Sequence, residues 1–353
     1  MVRIIATLIV LIMSMHVQAE RDSLATLKAE IEHQKLPGVH AVIIEHDGVR
    51  LAEWYFKGHD QTIGQDLSAI SFNADTPHDV RLVTKSVVSM LFGIAHHDGL
   101  IPDLEQPIVS FFPEFTDLPS AYTADVKLRH VLSMTSGWNW DEFTYPYTDP
   151  RNSEIAMEFS DDPLKFVLTQ PRVAEPGTHF TYSGGDVALV GAVIARAAKM
   201  PLDRYAEEKL FGPLGITTTE WSKRLDVPRA ASGLRLTPNA MAKIGQLILH
   251  KGIHNARQLV PASWIQASTT QQIDIPSKLA PGSAYRRFWW LGEFEGQRWI
   301  GAFGNGGQRI WIVPERKLLV VTTMGLYDSP DQGRVPQTIL ATAIKATTSR
   351  ATQ

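Results

Sequence analysis

Three segments of this chain hold residues whose types and spacing could do chemistry. In Arg81-Leu82-Val83-Thr84-Lys85-Ser86-Val87-Val88-Ser89-Met90-Leu91, a lysine follows position 82 by three residues. Residues three apart on a helix share a face, so a hydroxyl at the first position would meet the amine one turn later. There the helix dipole favours developing negative charge, and a desolvated lysine can accept the hydroxyl proton. The second segment, Phe180-Thr181-Tyr182-Ser183-Gly184-Gly185-Asp186, offers the phenol of Tyr182, and the third, Phe303-Gly304-Asn305-Gly306-Gly307-Gln308, offers main-chain N–H groups in a glycine-rich run. Other chemistries are excluded. There is no Gly-Lys dipeptide for a P-loop, no G-x-S-x-G elbow, and no H-E-x-x-H. Gly304 and Gly306 are followed by Arg309 where a dinucleotide fingerprint needs its third glycine. His96 and His97 are neighbours about 100° apart on a helix and do not converge on a metal. With no cysteine, thiol catalysis, disulfides and Cys-based metal sites are ruled out.

Taken in order, the three segments resemble the active-site motifs of the β-lactamase and penicillin-binding-protein family of serine hydrolases. The branch they are most similar to contains class C β-lactamases, esterases and nylon-oligomer (aminohexanoate-dimer) hydrolases. The first segment resembles the S-x-x-K helix start, with Lys85 as the base. The second resembles the Y-S/A-N element, which implies that Tyr182 assists proton transfer, with Gly184 where asparagine is usual, as in the esterase-like branch. The third resembles the K/H-T/S-G strand, which implies that Asn305 takes the Lys/His slot and that the Gln308 N–H forms half of an oxyanion hole beside Gly306 and Gly307. His130-Val131-Leu132-Ser133-Met134-Thr135-Ser136-Gly137-Trp138, Pro213-Leu214-Gly215-Ile216 and Val260-Pro261-Ala262-Ser263-Trp264 follow the family order as well. The resemblance runs from roughly residue 35 to the C-terminus.

The departure is at the nucleophile. Leu82 fills the serine position, and leucine has no proton to lose and no way to form an acyl-enzyme. No other serine has lysine three residues later, and Ser86 lies about a full turn from position 82. Three readings follow: a pseudoenzyme that uses the cleft to bind a peptide or cell-wall fragment, a recently inactivated hydrolase, or a sequence altered from a serine-bearing parent. The ligand class that the resemblance implies is a small amide or ester. Asn305 in place of a cation argues against a carboxylate-bearing β-lactam, and the text Trp138-Asn139-Trp140, Tyr145-Pro146-Tyr147 and Trp289-Trp290 suggests aromatic walls. No cofactor and no metal are expected.

The elements that must position these residues are legible in outline. Val39 to Glu45 and Val49 to Phe56 around Asp47-Gly48 read as a hairpin, and the stretches 288–291, 298–303, 308–313 and 318–324 as strands. Helical spacing marks 24–34, 82–97, 186–199, 202–210, 238–250 and 336–347, with Gly99 as a stop after the second. Strands at both ends bracket a helix-rich middle. The expected fold class is therefore α/β: a β-lactamase/DD-peptidase-like antiparallel sheet formed from both chain ends, flanked by helices, with an inserted all-helical lobe. One domain spans 20–353, with the sheet region at 20–104 and 281–353 and the lobe at 105–280. A net charge of −3 gives no footprint for nucleic acid. Arg3, the apolar run from Ile4 to Met15 and Val17-Gln18-Ala19 read as a signal peptide, residues 1–19, cleaved before Glu20. The expectation is a periplasmic or secreted protein with no stable membrane span after cleavage.

Overall fold

The computed structural model describes residues 22–63, 65–115, 118, 125–270 and 283–348. The signal peptide expected at 1–19 lies outside them. The centre is one seven-stranded sheet. Its strands are β1 (Val39–His46), β2 (Val49–Tyr55), β5 (Ser283–Arg286), β6 (Trp289–Phe294), β7 (Gln297–Gly304), β8 (Gln308–Val313) and β9 (Leu318–Met324). They run antiparallel in the order β5-β6-β7-β8-β9-β1-β2, so the two ends of the chain meet where β9 pairs with β1. The β1–β2 turn places Asp47 and Gly48 at φ 48° and 76°, the left-handed pair that a two-residue hairpin matching strand twist requires.

Every residue of β1, β8 and β9 is buried. An antiparallel strand buried throughout needs cover on both faces. That cover comes from helices: α2 (Val83–His97), α5 (Pro238–Leu249) and α6 (Asp331–Thr348) pack on the sheet. The amino-terminal helix α1 spans 22–32, and its Leu24, Leu27 and Ile31 enter the same core. Among the described residues no helix is long and apolar enough to cross a membrane.

The middle of the chain forms a lobe of mainly short helices. α3 (Ser153–Phe159) is capped by Asn152, and α4 (Gly184–Ala198) is capped by Ser183, whose hydroxyl accepts from the Asp186 N–H at 3.0 Å. α4 packs against α2, which is buried from Val83 to Ala95. Gly99, at φ 76°, ends α2 where expected. The lobe also holds short antiparallel pieces that the helical text conceals. Leu234–Leu236 pairs with His78–Asp79 on one side and Thr219–Trp221 on the other. A further ribbon, β3 (Lys57–Thr62) and β4 (Gln65–Ser71), lies in sequence with no alternating apolar pattern. Most of its side chains are exposed or half-buried, so it lacks the periodicity by which a strand is read.

Candidate active site

The segment before α2 aims position 82 at solvent. Asp79 Oδ1 accepts from the Arg81 N–H at 3.0 Å, Arg81 turns into the left-handed region at φ 51°, and Leu82 becomes the N-cap residue. A leucine there supplies no side-chain cap. Tight bonds from the N–H groups of Val83, Thr84 and Lys85 to the carbonyls three residues back close the first turn instead, each at 3.1 Å. Leu82 is half-buried and borders a cleft of about 550 Å³. Tyr182, Gly304 and Asn305 border the same cleft, so three of the expected site positions converge on one cavity.

Lys85 lies one turn inside α2 and is fully buried beneath the cleft. Its amine is 5.0 Å from the centroid of the Tyr182 ring, against the face of the phenol, and the Tyr182 and Tyr285 rings meet edge to face at 5.5 Å. Two carboxylates absent from the sequence reading take the amine's charge. Glu154 Oε2 accepts at 3.2 Å and Glu142 Oε2 lies at 3.8 Å. Glu142 is in turn held by the Trp140 indole N–H at 2.5 Å, the Tyr147 hydroxyl at 3.0 Å and the Gly184 N–H. Burial pushes the Glu142 carboxyl up to about 7, the Lys85 charge opposes that rise, and the Glu154 charge adds to it. Burial also drives the Tyr182 phenol well above its ordinary value, so it stands as a neutral hydroxyl.

Gly184 explains how this cluster fits. A Cβ at that position would lie 2.4 Å from Glu154 Oε2 and 3.0 Å from Glu142 Oε1. The two carboxylates thus fill the space that a side chain at 184 would enter. Other hydroxyls near position 82 are committed to structure. Ser86 Oγ is buried and donates to the Phe288 carbonyl at 2.6 Å, and Ser183 Oγ is the α4 cap.

The third segment differs from the expected strand. β7 ends at Gly304, and residues 305–307 form a hairpin turn in which Gly306 and Gly307 adopt φ of 91° and 94°. Asn305 is tied into that turn, with its amide donating to Asp328 Oδ1 at 2.7 Å and its oxygen accepting from the Asp328 N–H at 2.9 Å. Gln308 does not border the cleft. It is fully buried, and its side chain clamps both the carbonyl and the N–H of Met324 at 2.6 and 3.0 Å. Gly306 and Gly307 are likewise outside the cleft lining. The aromatic walls are Phe143, Tyr145, Tyr147, Trp290 and Phe303, while Trp138 and Trp289 belong to the core. Trp290 stacks on Phe303 at 5.7 Å and 14°, which fixes one wall as a flat, rigid face.

The site thus joins a helix-start lysine, a buried tyrosine against it and a sheet hairpin whose Asn305 borders the same cleft as the tyrosine. A family model described as Beta-lactamase matches residues 24–343. The chain belongs to the β-lactamase family. Within that family it is 24% identical over 343 residues to the 6-aminohexanoate-dimer hydrolase of Paenarthrobacter ureafaciens, covering 88% of this chain and 78% of that protein. EstCE1, a hydrolase with promiscuous acyltransferase activity, superposes with a TM-score of 0.70 at 15% identity, over 91% of this chain and 99% of that one. The octameric penicillin-binding protein homologue from Pyrococcus abyssi gives 0.68 at 18% identity, over 92% and 77%. The two structural likenesses speak for the fold. The mixed α/β architecture of the family, with its sheet built from both chain ends, is the one described above.

Proposed function

We propose that this β-lactamase-family protein binds a small linear amide or ester in the aromatic cleft and does not form an acyl-enzyme with it. The observation that carries the reading is the pairing of Lys85 with Glu154 and Glu142 directly beneath Leu82. A serine hydrolase of this kind needs an amine free to take a proton from a hydroxyl. Here there is no hydroxyl at position 82, and the amine faces two carboxylates. Lysine therefore serves as the countercharge of a buried acid pair, an arrangement that stands without a nucleophile. The neutral Tyr182, the flat Trp290 face and the polar rim of Asn305, Asp328 and Gln332 remain available to a ligand. A linear amide suits such a slot, since its carbonyl and N–H can meet the rim while its methylene chain lies on the aromatic wall.

The test pairs binding with turnover. Titration with the linear 6-aminohexanoate dimer, followed by tryptophan fluorescence, is expected to saturate, and Trp290→Phe is expected to remove most of the signal. Hydrolysis of p-nitrophenyl acetate and of the dimer is expected to stay at the uncatalysed rate. Catalysed turnover by the unaltered chain would overturn the reading. A second observation, the Arg3 to Ala19 text, supports export to the periplasm or medium. N-terminal sequencing is expected to find a mature chain beginning near Glu20, and a cytosolic product retaining Met1 would contradict export.

A further inference from the structure

Away from the cleft, three side chains from three separate elements meet in the interior: His40 on β1, Asp60 on β3 and His78 on the short strand before α2. All three are fully buried. His40 Nδ1 is 2.8 Å from His78 Nε2, and His78 Nε2 is 3.3 Å from Asp60 Oδ1. One ligand-type atom from each lies within 4.8 Å of the others. We infer that His40, Asp60 and His78 form a structural site for a divalent metal ion of the zinc type, with Tyr327 beside it.

The hydrogen bonding around the three residues argues for a cation in their midst. His78 Nδ1 lies 3.2 Å from the Asp79 carbonyl, which can only accept, so the ring proton belongs on Nδ1 and the Nε2 lone pair points inward. His40 turns its Nδ1 to the cluster, and with the ring proton on Nε2 the Nδ1 lone pair points inward as well. Two lone pairs and a carboxylate oxygen then face one another with no proton among them. A bridging proton from His40 Nδ1 to His78 Nε2 would remove one repulsion, but it would leave Asp60 Oδ2, buried with no hydrogen-bond partner, unsatisfied. A metal ion satisfies all three atoms at once. Zinc held at about 2.0–2.1 Å from tetrahedral ligands places those ligands about 3.3 Å apart, close to the spacings here.

The surroundings have the form of an outer shell. Tyr327 donates its hydroxyl to Asp60 Oδ1 at 2.8 Å, orienting the carboxylate. Phe72 stacks on His40 at 4.2 Å and excludes water. Gly58 and Gly325 are the positions that let His40 in, since a Cβ on either would come within 2.4 and 2.8 Å of the imidazole. None of the three residues borders the cleft, so the ion would hold structure rather than touch ligand. What it would hold is specific. It would clasp the β3–β4 ribbon to the main sheet and to His78, four residues before Leu82, where Asp79 and Arg81 set the start of α2.

The experiment uses the full exported chain, purified without a histidine tag from zinc-supplemented medium. Elemental analysis is expected to find about one zinc per chain. Stripping with dipicolinate should lower the thermal midpoint, and added Zn²⁺ should restore it. Co²⁺ added to stripped protein should give the visible d–d absorption of a four-coordinate site. Asp60→Asn and His78→Asn are each expected to weaken Zn²⁺ at least about a hundredfold. If the unaltered chain carries no zinc, takes up neither Zn²⁺ nor Co²⁺, and keeps its midpoint in chelator, the three residues are a hydrogen-bonded triad and the inference fails. Zinc binding unchanged in both variants would place the metal elsewhere and overturn it equally. The unaltered chain decides the matter even if the variants do not fold.

Discussion

Two buried polar clusters flank the segment that enters α2, and they differ in the source of their positive charge. Beneath the cleft, Glu142 and Glu154 gather around Lys85, a cation supplied by the chain. Just before α2, His78 joins His40 and Asp60 in a cluster that, among the described residues, makes no hydrogen bond or ion pair to lysine or arginine. Burying a carboxylate without a partner is costly, so each cluster must find its countercharge. The first finds it in a residue that the family resemblance assigns to catalysis. The second has the donor set for a metal ion. The difference teaches that a buried acid pair can be balanced by a lysine of the chain itself, whereas a buried histidine–aspartate cluster has to be balanced by other means.

The largest effect should come from removing the internal cation. Lys85→Ala leaves two buried carboxylates facing each other, and urea unfolding is expected to show a loss of about 3–5 kcal/mol. An effect near zero would mean that the pair takes up a proton in place of the lysine charge. Next, Gly184→Asn restores the family's usual residue but drives a side chain into Glu154. It is expected to cost about 1–3 kcal/mol as an overpacked site, and Glu154→Ala should recover much of that loss. Without recovery in the double variant, the carboxylates are not what excludes a side chain at 184.

Dependence on pH sharpens the comparison further. The folded chain binds the Glu142 proton up to about 7, above its ordinary value of 4.5. Between those values Glu142 holds more of its proton in the folded state than in the unfolded one, so its own contribution to stability should fall as pH rises across the window and level off above it. Glu142→Gln should therefore make the slope of unfolding free energy against pH between 5 and 7 more positive than in the unaltered chain. A slope that the substitution leaves unchanged would show that Glu142 is ionised throughout. The smallest effect is expected outside both clusters. Ser183→Ala removes the α4 cap and should cost about 1 kcal/mol, with no change in the pH profile.

Much of the scaffold was legible because it is periodic. The Asp47-Gly48 hairpin, the buried stripe of α2 and the strands that end the chain all announce themselves in local spacing, and both chain ends do share one sheet. What could not be read was whatever depends on residues meeting from afar. Glu142 and Glu154 sit in loop and short-helix text with no pattern linking them to Lys85. His40, Asp60 and His78 come together only once β3 folds back against β1. The resemblance implies a role for the Gln308 main-chain N–H, but no motif shows that its side chain ties the hairpin to Met324, a role set by strand pairing. The ribbon of β3 and β4 was missed because its polar, exposed side chains carry no alternation.

The central claim is that position 82 lacks the nucleophile and that no other hydroxyl replaces it. Intact-mass spectrometry after incubation with a fluorophosphonate probe tests it directly, on the unaltered chain and on Leu82→Ser. The unaltered chain is expected to stay unlabelled, because losing the nucleophile of such a site costs as much as ~10⁶-fold in rate. Leu82→Ser is expected to gain one adduct that maps to position 82, and Glu154→Gln on that background should speed labelling by freeing the amine. An adduct on the unaltered chain at Ser86 or Ser183, or a folded Leu82→Ser protein that remains unlabelled, would contradict the account.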